Sequence, residues 1–203
     1  MADGPKLFVG LGNPGPSYAR HRHNIGFMAI ESIAWRHRLP PWRRKFQGEL
    51  TEGEIGGHRV LLLKPMTFMN LSGQSVGEAM RFFKIPLGDI VVFHDELDLV
   101  PGKVRVKQGG GVAGHNGLKS LAAHLRSPDF KRVRLGIGHP GHKDRVIGHV
   151  LSDFHKSDAD WLEPLLDGIA EAAALLAAGD DAGFMNRIAL LMQPPSNSDR
   201  ASP

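Results

Sequence analysis

The stretch Lys6-Leu7-Phe8-Val9-Gly10-Leu11, followed at once by Gly12-Asn13-Pro14-Gly15, decides how the chain begins. A short apolar run that ends in glycine, asparagine and proline predicts a buried β-strand and then a tight loop. The chain therefore opens with a strand that belongs inside a sheet, and the sequence on its C-terminal side shows what surrounds that strand.

Apolar residues at helical spacing predict helices over residues 25–35, 72–83, 116–125, 157–178 and 181–190. Apolar or alternating runs predict strands over residues 46–55, 58–64, 90–94, 104–107 and 132–138, and Gly56-Gly57 joins the first two as a hairpin. Strands interleaved with helices predict an α/β fold, a single-domain twisted mixed β-sheet flanked by helices, over residues 1–192. Residues 193–203 are rich in proline, serine and asparagine, which predicts a disordered tail.

The composition excludes several classes of protein. The 203 residues contain no cysteine, which excludes disulfides, thiolate metal sites and cysteine nucleophiles. No apolar run approaches the roughly 18 residues of a transmembrane helix, and the N-terminus has no signal-peptide pattern. We therefore expect a cytoplasmic protein with no membrane contact, and nothing in the sequence suggests an obligate partner, so a monomer is expected.

The charge is unevenly distributed along the chain. Residues 1–149 hold 22 Lys/Arg and 12 Asp/Glu, whereas residues 150–203 hold 3 and 9. A basic body of this kind favours a polyanionic partner, although lysines and arginines also solvate ordinary surfaces.

Two motifs favour other enzyme classes only weakly. Residues 10–15 (GLGNPG) follow a strand and match a dinucleotide-binding fingerprint, but the acidic residue at the required distance, Glu31, falls inside a predicted helix. Residues 73–77 (GQSVG) match a nucleophile elbow, but the nearest strand ends about ten residues earlier, so Ser75 is expected in the first turns of a helix.

Histidines and carboxylates near each other also allow a metal site. His21 and His23 form one such group, and His94-Asp95-Glu96 forms another, but neither has the spacing of a known metal motif. We expect no metal and no cofactor.

Polar residues of one kind recur in four turn-rich segments, and two carboxylates close a buried strand. They are Asn13, His23-Asn24, Asn70, His115-Asn116, and Asp95-Glu96. An asparagine amide can bind a peptide backbone or steady an oxyanion, and a histidine oriented by an aspartate can take a proton from water. Asparagines beside glycines are also common turn residues, so either role is open for each of them.

Seven blocks of sequence occur in a fixed order between residues 6 and 190. They are residues 9–18 (VGLGNPGPSY), 22–27 (RHNIGF), 64–73 (KPMTFMNLSG), 94–98 (HDELD), 109–119 (GGGVAGHNGLK), 134–140 (RLGIGHP) and 150–154 (VLSDF). This ordered set resembles the bacterial-type peptidyl-tRNA hydrolase family. The departure is Val112-Ala113, where that family often has His-Gly or Ala-Gly, and it leaves His115-Asn116 intact.

The resemblance implies a metal-independent esterase that cleaves the bond between a peptide, or an N-blocked amino acid, and the 3′ end of tRNA. It implies that His23 is the general base and that Asp95 orients it. Asn13 and Asn116 match amides that line the channel and are expected among the catalytic residues, with Asn116 the candidate to position water or substrate. The residues implied to contact the substrate at the ester or along the peptide are Asn13, Tyr18, Phe68, Met69, Asn70 and Asn116.

Contact with tRNA is predicted on alternating basic residues. Lys103, Arg105 and Lys107 share one face of a regular strand, and Arg132 and Arg134 share a face of another. The resemblance points to Lys107 and Arg134 for the tRNA end, whereas two solvated sheet faces are the alternative. The basic and aromatic residues 35–38 and 42–46 are interpreted mostly as packing and solvated charge.

Two other functions remain open from the residues alone. A non-catalytic RNA-binding module would carry the same basic faces, and a nicotinamide- or flavin-dependent enzyme would use residues 10–15. The first would bind tRNA whether or not it carries an acyl group, and the second would be stabilised by a nucleotide.

Overall fold

The computed structural model describes residues 4–112 and 114–194. Its strands are β1 (Lys6–Gly10), β2 (Arg43–Lys45), β3 (Gly48–Ile55), β4 (His58–Pro65), β5 (Ile90–Glu96), β6 (Val104–Gln108) and β7 (Lys131–Gly136). Its α-helices are α1 (Ile25–Arg36), α2 (Ser72–Phe83), α3 (Asn116–Leu125), α4 (Val146–Val150), α5 (Ala159–Ala177) and α6 (Asp181–Leu191). Ala113 of the unusual Val112-Ala113 pair and residues 195–203 of the predicted tail lie outside the described residues.

The seven strands form one mixed sheet in the order β2-β3-β4-β1-β5-β7-β6. The four strands β4, β1, β5 and β7 run parallel, whereas β2, β3 and β6 pair antiparallel. The predicted α/β fold with a mixed sheet is thus confirmed. Because the parallel strands end at one edge, the loops that follow β1, β4 and β5 meet there.

Helices cover both faces of the sheet, and the alternation of side chains along β1 explains why. Phe8 points into a core with α1, α5 and α6, whereas its neighbours Leu7 and Val9 point into a core with α2 and α3. Each of these three side chains is fully buried. A strand that is buried on both faces therefore lies at the centre of a three-layer domain.

The glycines after β1 allow α1 to pack closely on the sheet. A Cβ atom on Gly10 would lie 2.3 Å from the carbonyl oxygen of Gly26, and a Cβ on Gly26 would lie 2.4 Å from that of Phe93. The helix begins only at Ile25, ten residues after Gly15, and Glu31 forms an ion pair with Lys64. The glycines therefore serve helix packing, and the dinucleotide-binding interpretation has no support in this geometry.

The structure rules out a nucleophile elbow at Ser75. Ser75 lies inside α2 and is fully buried, so its hydroxyl cannot meet a substrate.

Strand β3 begins at Gly48 rather than at residue 46, because Phe46 and Gln47 both adopt positive φ in the turn after β2. Strand β2 and helix α4 were not predicted. Among the helices of the described ranges, none has the length and apolar character needed to cross a membrane.

Candidate active site

His23 and Asp95 meet at the edge of the sheet where the parallel strands end. His23 lies in a short 3-10 turn just before α1, and Asp95 lies near the end of β5. The Nδ1 atom of His23 lies 2.8 Å from Oδ2 and 3.0 Å from Oδ1 of Asp95. Because Asp95 is an acceptor when ionised, Nδ1 of His23 carries the proton and donates it, which leaves the lone pair on Nε2.

A second histidine shares the same carboxylate. Nε2 of His115 lies 2.8 Å from Oδ1 of Asp95, while its Nδ1 accepts hydrogen bonds from the backbone N–H groups of Gly117 and Leu118. His115 is the N-cap residue of α3, so the start of that helix fixes the ring. Because Nδ1 accepts these two hydrogen bonds, the nitrogen of His115 that donates to Asp95 is Nε2.

Burial and nearby charge shift the pKa values of His23 and Asp95 in opposite directions. Burial by itself would lower the pKa of His23, but the charge of Asp95 and the hydrogen bond to it outweigh burial and raise that pKa above its ordinary 6.5. Burial would raise the pKa of Asp95, yet His115 and His23 hold it below its ordinary range. Asp95 is therefore an ionised carboxylate, and its charge favours the protonated form of His23.

His94 supports the site from below. It is buried, its Nδ1 donates to the carbonyl oxygen of Asp95 at 2.8 Å, and its ring packs edge-on to His115 with centroids 5.2 Å apart. Burial and the nearby His115 lower the pKa of His94 to about 3, so it is neutral at ordinary pH. A ring that is buried and so weakly basic is a poor general base, and His94 instead forms part of the wall behind His115.

Asn13 is held in place by two other segments of the site. Asn24 accepts the backbone N–H of Asn13 and donates to its carbonyl oxygen, both at 2.9 Å. The side-chain Oδ1 of Asn13 accepts the N–H of Met69 at 2.7 Å. The acceptor of the Asn13 amide is thus occupied, and its Nδ2–H groups are the part that is available to a ligand.

The other predicted substrate residues lie around the same group. Asn70 and Asn116 are exposed, at the start of the segments that lead into α2 and α3. A Cβ on Gly117 would lie 2.6 Å from Sδ of Met69, so these two segments are in contact beside His115. Tyr18 packs edge-on to Phe68 with ring centroids 6.2 Å apart, and Phe68 is 54% exposed. Sequence reasoning singled out Asn24 and His115 as candidates but did not predict that Asn24 binds the backbone of Asn13 or that His115 contacts Asp95. It named His94 only as a possible metal ligand and assigned no role to Arg22.

Arg22, the residue before His23, is buried and holds a distant segment of the chain. Its Nη1 donates to Oγ of Ser152 at 2.6 Å and to the carbonyl oxygens of Asp153, Ser152 and His149 at 2.9, 3.3 and 3.5 Å. The backbone N–H of Arg22 also donates to the carbonyl of Ser152 at 3.0 Å. Hydrogen bonds of Arg22 therefore connect the turn that contains His23 to the segment that follows α4.

The predicted basic strip lies on the α3 face of β6 and β7. Lys103, Arg105 and Lys107 are exposed, whereas Val104 packs in the core on the opposite face. Arg105 stands directly opposite Arg134, whose side chain is a quarter exposed and pairs with Glu96 at 3.0 Å. These four basic residues share one face because directly paired residues of neighbouring strands point to the same side.

Arg132 does not belong to this strip, although its spacing from Arg134 predicts that it does. It is 3% exposed and donates to the carbonyl oxygens of Gly110, Gly111 and Pro128. The glycine-rich segment folds over Arg132 and removes it from the surface. Arg132 therefore positions the backbone that leads to His115.

Three side chains of the site, His23, Asp95 and His115, are of types that can bind a metal ion. The ligand atoms of His23, Asp95 and His115 all lie within 4.8 Å of one another. His115 faces Asp95 with a protonated nitrogen, however, and Nδ1 of His23 donates to the same carboxylate. Both contacts are hydrogen bonds, and a metal would have to replace the two of them.

Comparisons with known proteins agree on one family. The family model described as peptidyl-tRNA hydrolase matches residues 7–197. The peptidyl-tRNA hydrolase of Dinoroseobacter shibae is 65% identical over 193 residues, which are 95% of this chain and 82% of that protein. That of Bradyrhizobium diazoefficiens is 65% identical over 188 residues, which are 93% of each chain.

Solved structures lead to the same family. The crystal structure of peptidyl-tRNA hydrolase from Acinetobacter baumannii has a TM-score of 0.85 and 43% identity, and the match covers 93% of this chain and 96% of that one. Peptidyl-tRNA is the substrate of this family. The chain therefore belongs to the peptidyl-tRNA hydrolase family and is a hydrolase that acts on an ester bond.

Proposed function

We propose that the chain hydrolyses the ester between a peptide, or an N-blocked amino acid, and the 3′ end of tRNA, with His23 as general base. This activity would recycle tRNA from peptidyl-tRNA that is released prematurely. The observation that carries the mechanism is the hydrogen bond of 2.8 Å from Nδ1 of His23 to Asp95, because it fixes the tautomer that leaves Nε2 free to accept a proton.

The proposed reaction is a direct attack of water. Nε2 of His23 takes one proton from a water molecule, and the resulting hydroxide forms a bond to the ester carbonyl carbon. The tetrahedral intermediate then collapses, the bond to the ribose oxygen breaks, and His23 returns the proton to that oxygen. Free tRNA and the carboxylic acid of the peptide are the products, and the acid then releases its proton to solvent. Asp95 stays ionised throughout, and its charge stabilises the protonated imidazole.

Two asparagines supply hydrogen bonds to this reaction. Asn13 presents Nδ2–H donors, since its Oδ1 accepts from Met69 at 2.7 Å, and we propose that these donors stabilise the oxyanion. Asn116 is exposed next to His115, and we propose that it positions the attacking water or the substrate. Asn70 would bind the peptide backbone, while Met69, Phe68 and Tyr18 would form an apolar wall along it.

The tRNA end would bind on the strip of Lys103, Arg105, Lys107 and Arg134. Support comes from its place on the α3 face, since α3 also carries His115 at its N-terminus. The side chain of Lys107 lies against Gly110, so the strip reaches the glycine-rich segment. Cations there can neutralise phosphates near the ester.

We further propose a cytoplasmic monomer that needs no cofactor and comprises one domain over residues 1–192. The absence of cysteine fits a reducing compartment. Size-exclusion chromatography with light scattering measures the oligomeric state, and a dimer would contradict this part of the proposal.

The mechanism is tested by the release of tRNA from N-acetyl-aminoacyl-tRNA. Wild type is compared with His23→Ala, and tRNA binding is measured for both. We expect the variant to lose hydrolysis by at least about 100-fold and to keep its tRNA affinity. If His23→Ala retains wild-type turnover, His23 is not the base; if wild type binds tRNA without cleaving it, the chain is a binding module.

A further inference from the structure

A cavity of about 620 Å³ opens beside the active site on the side of β2 and β3. Its lining includes Pro14, Arg44, Lys45, Gln47, Glu49 and Thr67. Nothing in the proposed mechanism uses it. Its volume is typical of a site that holds a ligand of several residues or of drug size.

The cavity shares two segments of chain with the site. Pro14 follows Asn13 directly, and Thr67 lies two residues before Met69, whose N–H donates to Asn13. Met66 donates its N–H to the carbonyl oxygen of Gln47 at 3.0 Å, which extends the β3–β4 pairing to the rim. A molecule bound at Asn13 can therefore extend along this wall into the cavity.

The order of the strands indicates which half of the substrate enters. The basic strip proposed for tRNA lies on β6 and β7 at one end of the sheet, and the cavity lies at β3 and β2 at the other end. The ester is located between them, at the end of β1 and β5. If the tRNA leaves the site toward β7, the acyl chain is free to extend toward β2. This assignment of the two halves of the substrate rests on the proposed function.

The cavity is lined by two cations, Arg44 and Lys45, and by one carboxylate, Glu49, which is already paired with Lys64. Among the described residues, Arg44 has no carboxylate oxygen within 4 Å, although it stands opposite Glu49 in the β2–β3 register. The carboxylate of Glu49 lies 2.9 Å from Nζ of the buried Lys64. Nζ of Lys45 lies 4.2 Å from the ring centroid of Phe82. Both cations can therefore meet a ligand carboxylate without first breaking an ion pair.

The distance from the ester to the cavity determines which residue of the peptide would lie near Arg44. Neighbouring strands lie about 4.8 Å apart, so β2 is about 14 Å from β1 across β4 and β3. The pairs Lys45–Gly48 and Gly48–Pro65 place the end of β2 at the same sheet edge as the end of β4. An extended peptide advances about 3.4 Å per residue, so its fourth residue from the ester is nearest to Arg44.

We propose that this cavity binds the acyl chain of peptidyl-tRNA remote from the ester and favours acidic side chains about four residues from it. The subsite would discriminate among peptides, whereas the ester itself is recognised at Asn13 and His23. An N-blocked amino acid is too short to reach it.

The test uses two N-acetyl-pentapeptidyl-tRNAs that differ only at the fourth residue from the ester, which is Glu in one and Lys in the other. The ratio of their kcat/KM values is measured at low salt for wild type, Arg44→Glu and Arg44→Gln. A pair of exposed charges contributes up to about 1 kcal/mol, so we expect wild type to prefer Glu by up to about fivefold. Arg44→Glu should reverse the preference, Arg44→Gln should weaken it, and high salt should reduce the wild-type ratio.

Arg59→Glu is the matched control. Arg59 is an exposed arginine on β4, six residues and about 20 Å before the end of that strand, so its reversal changes the net charge equally. Its Glu/Lys ratio should equal that of wild type. A wild-type ratio near one, or a ratio that Arg44→Glu leaves unchanged, overturns the subsite. Failure of wild type to cleave either substrate would instead overturn the proposed function.

Discussion

Nε2 of His115 lies 2.8 Å from Oδ1 of Asp95, so two histidines donate to one carboxylate. The second donor restricts the rotation of Asp95 and thereby fixes the plane in which His23 is held. His115 is positioned by the first turn of α3, which couples the catalytic geometry to the start of that helix.

We predict that His115→Asn and His115→Ala both reduce kcat by about tenfold, because a hydrogen bond to a charged group contributes about 1.5–3 kcal/mol. Asparagine is a good N-cap but is too short to reach Asp95, whereas alanine also removes the cap at a cost of about 1 kcal/mol. Both variants should therefore lower Tm, because each leaves the buried carboxylate of Asp95 with one donor fewer, and His115→Ala should lower it by about 2–4 °C more than His115→Asn. Wild-type kcat in His115→Asn would exclude a role for His115 beyond the cap.

Treatment with a chelator distinguishes general-base catalysis by His23 from metal-assisted hydrolysis. His23, Asp95 and His115 could hold a metal, but their contacts are hydrogen bonds in which the histidines donate. We predict that wild type dialysed against EDTA keeps its turnover and that added Zn²⁺ does not raise it. A loss of activity on chelation that Zn²⁺ restores would favour metal-assisted hydrolysis instead.

Lys107→Ala or Arg134→Ala should weaken tRNA affinity several-fold at low salt and reduce the salt dependence, since each cation that contacts a phosphate contributes about one unit of slope. Cleavage at saturating substrate should change little. Arg59→Ala, at the other end of the sheet, is the control and should bind tRNA as wild type does. An unchanged salt slope in both variants would exclude these residues from the tRNA site.

Arg22→Met should destabilise the protein by about 2–3 kcal/mol, because several carbonyl oxygens lose their donor. Hydrogen exchange should accelerate at residues 149–153 more than in β1 and β5, since Arg22 fastens that segment to the turn before α1. Arg20→Met, two residues away and exposed, is the control. If exchange at residues 149–153 is the same in Arg22→Met as in wild type, the segment is held by other contacts.

Periodic elements with a core face could be predicted from the sequence. Helix α3 begins and ends at the predicted residues, and the hairpin of β3 and β4 turns at Gly56-Gly57 as expected. Strand β2 could not be predicted, because Arg43, Arg44 and Lys45 are all basic and show no alternation. Helix α4 has five residues, of which none is fully buried, so it leaves no periodic signal.

The residue types of the site could be predicted, but several contacts could not. His23 and Asp95 are 72 residues apart and were paired only through the family resemblance. Arg132 shares a strand face with Arg134, so alternation alone assigned it to the surface. The glycine-rich segment that covers Arg132 is a tertiary contact, and strand periodicity contains no information about it.

The most direct test of the account is the pH dependence of kcat/KM for wild type and Asp95→Asn. His23 must be neutral to accept a proton, and Asp95 raises its pKa, so activity of wild type should fall as pH drops through an apparent pKa above 6.5. Without that charge, burial dominates and lowers the pKa of His23. Asp95→Asn should therefore lose at least about 100-fold in turnover while its acid limb moves to lower pH. Near wild-type turnover in Asp95→Asn, or an acid limb at the wild-type position, would contradict the account.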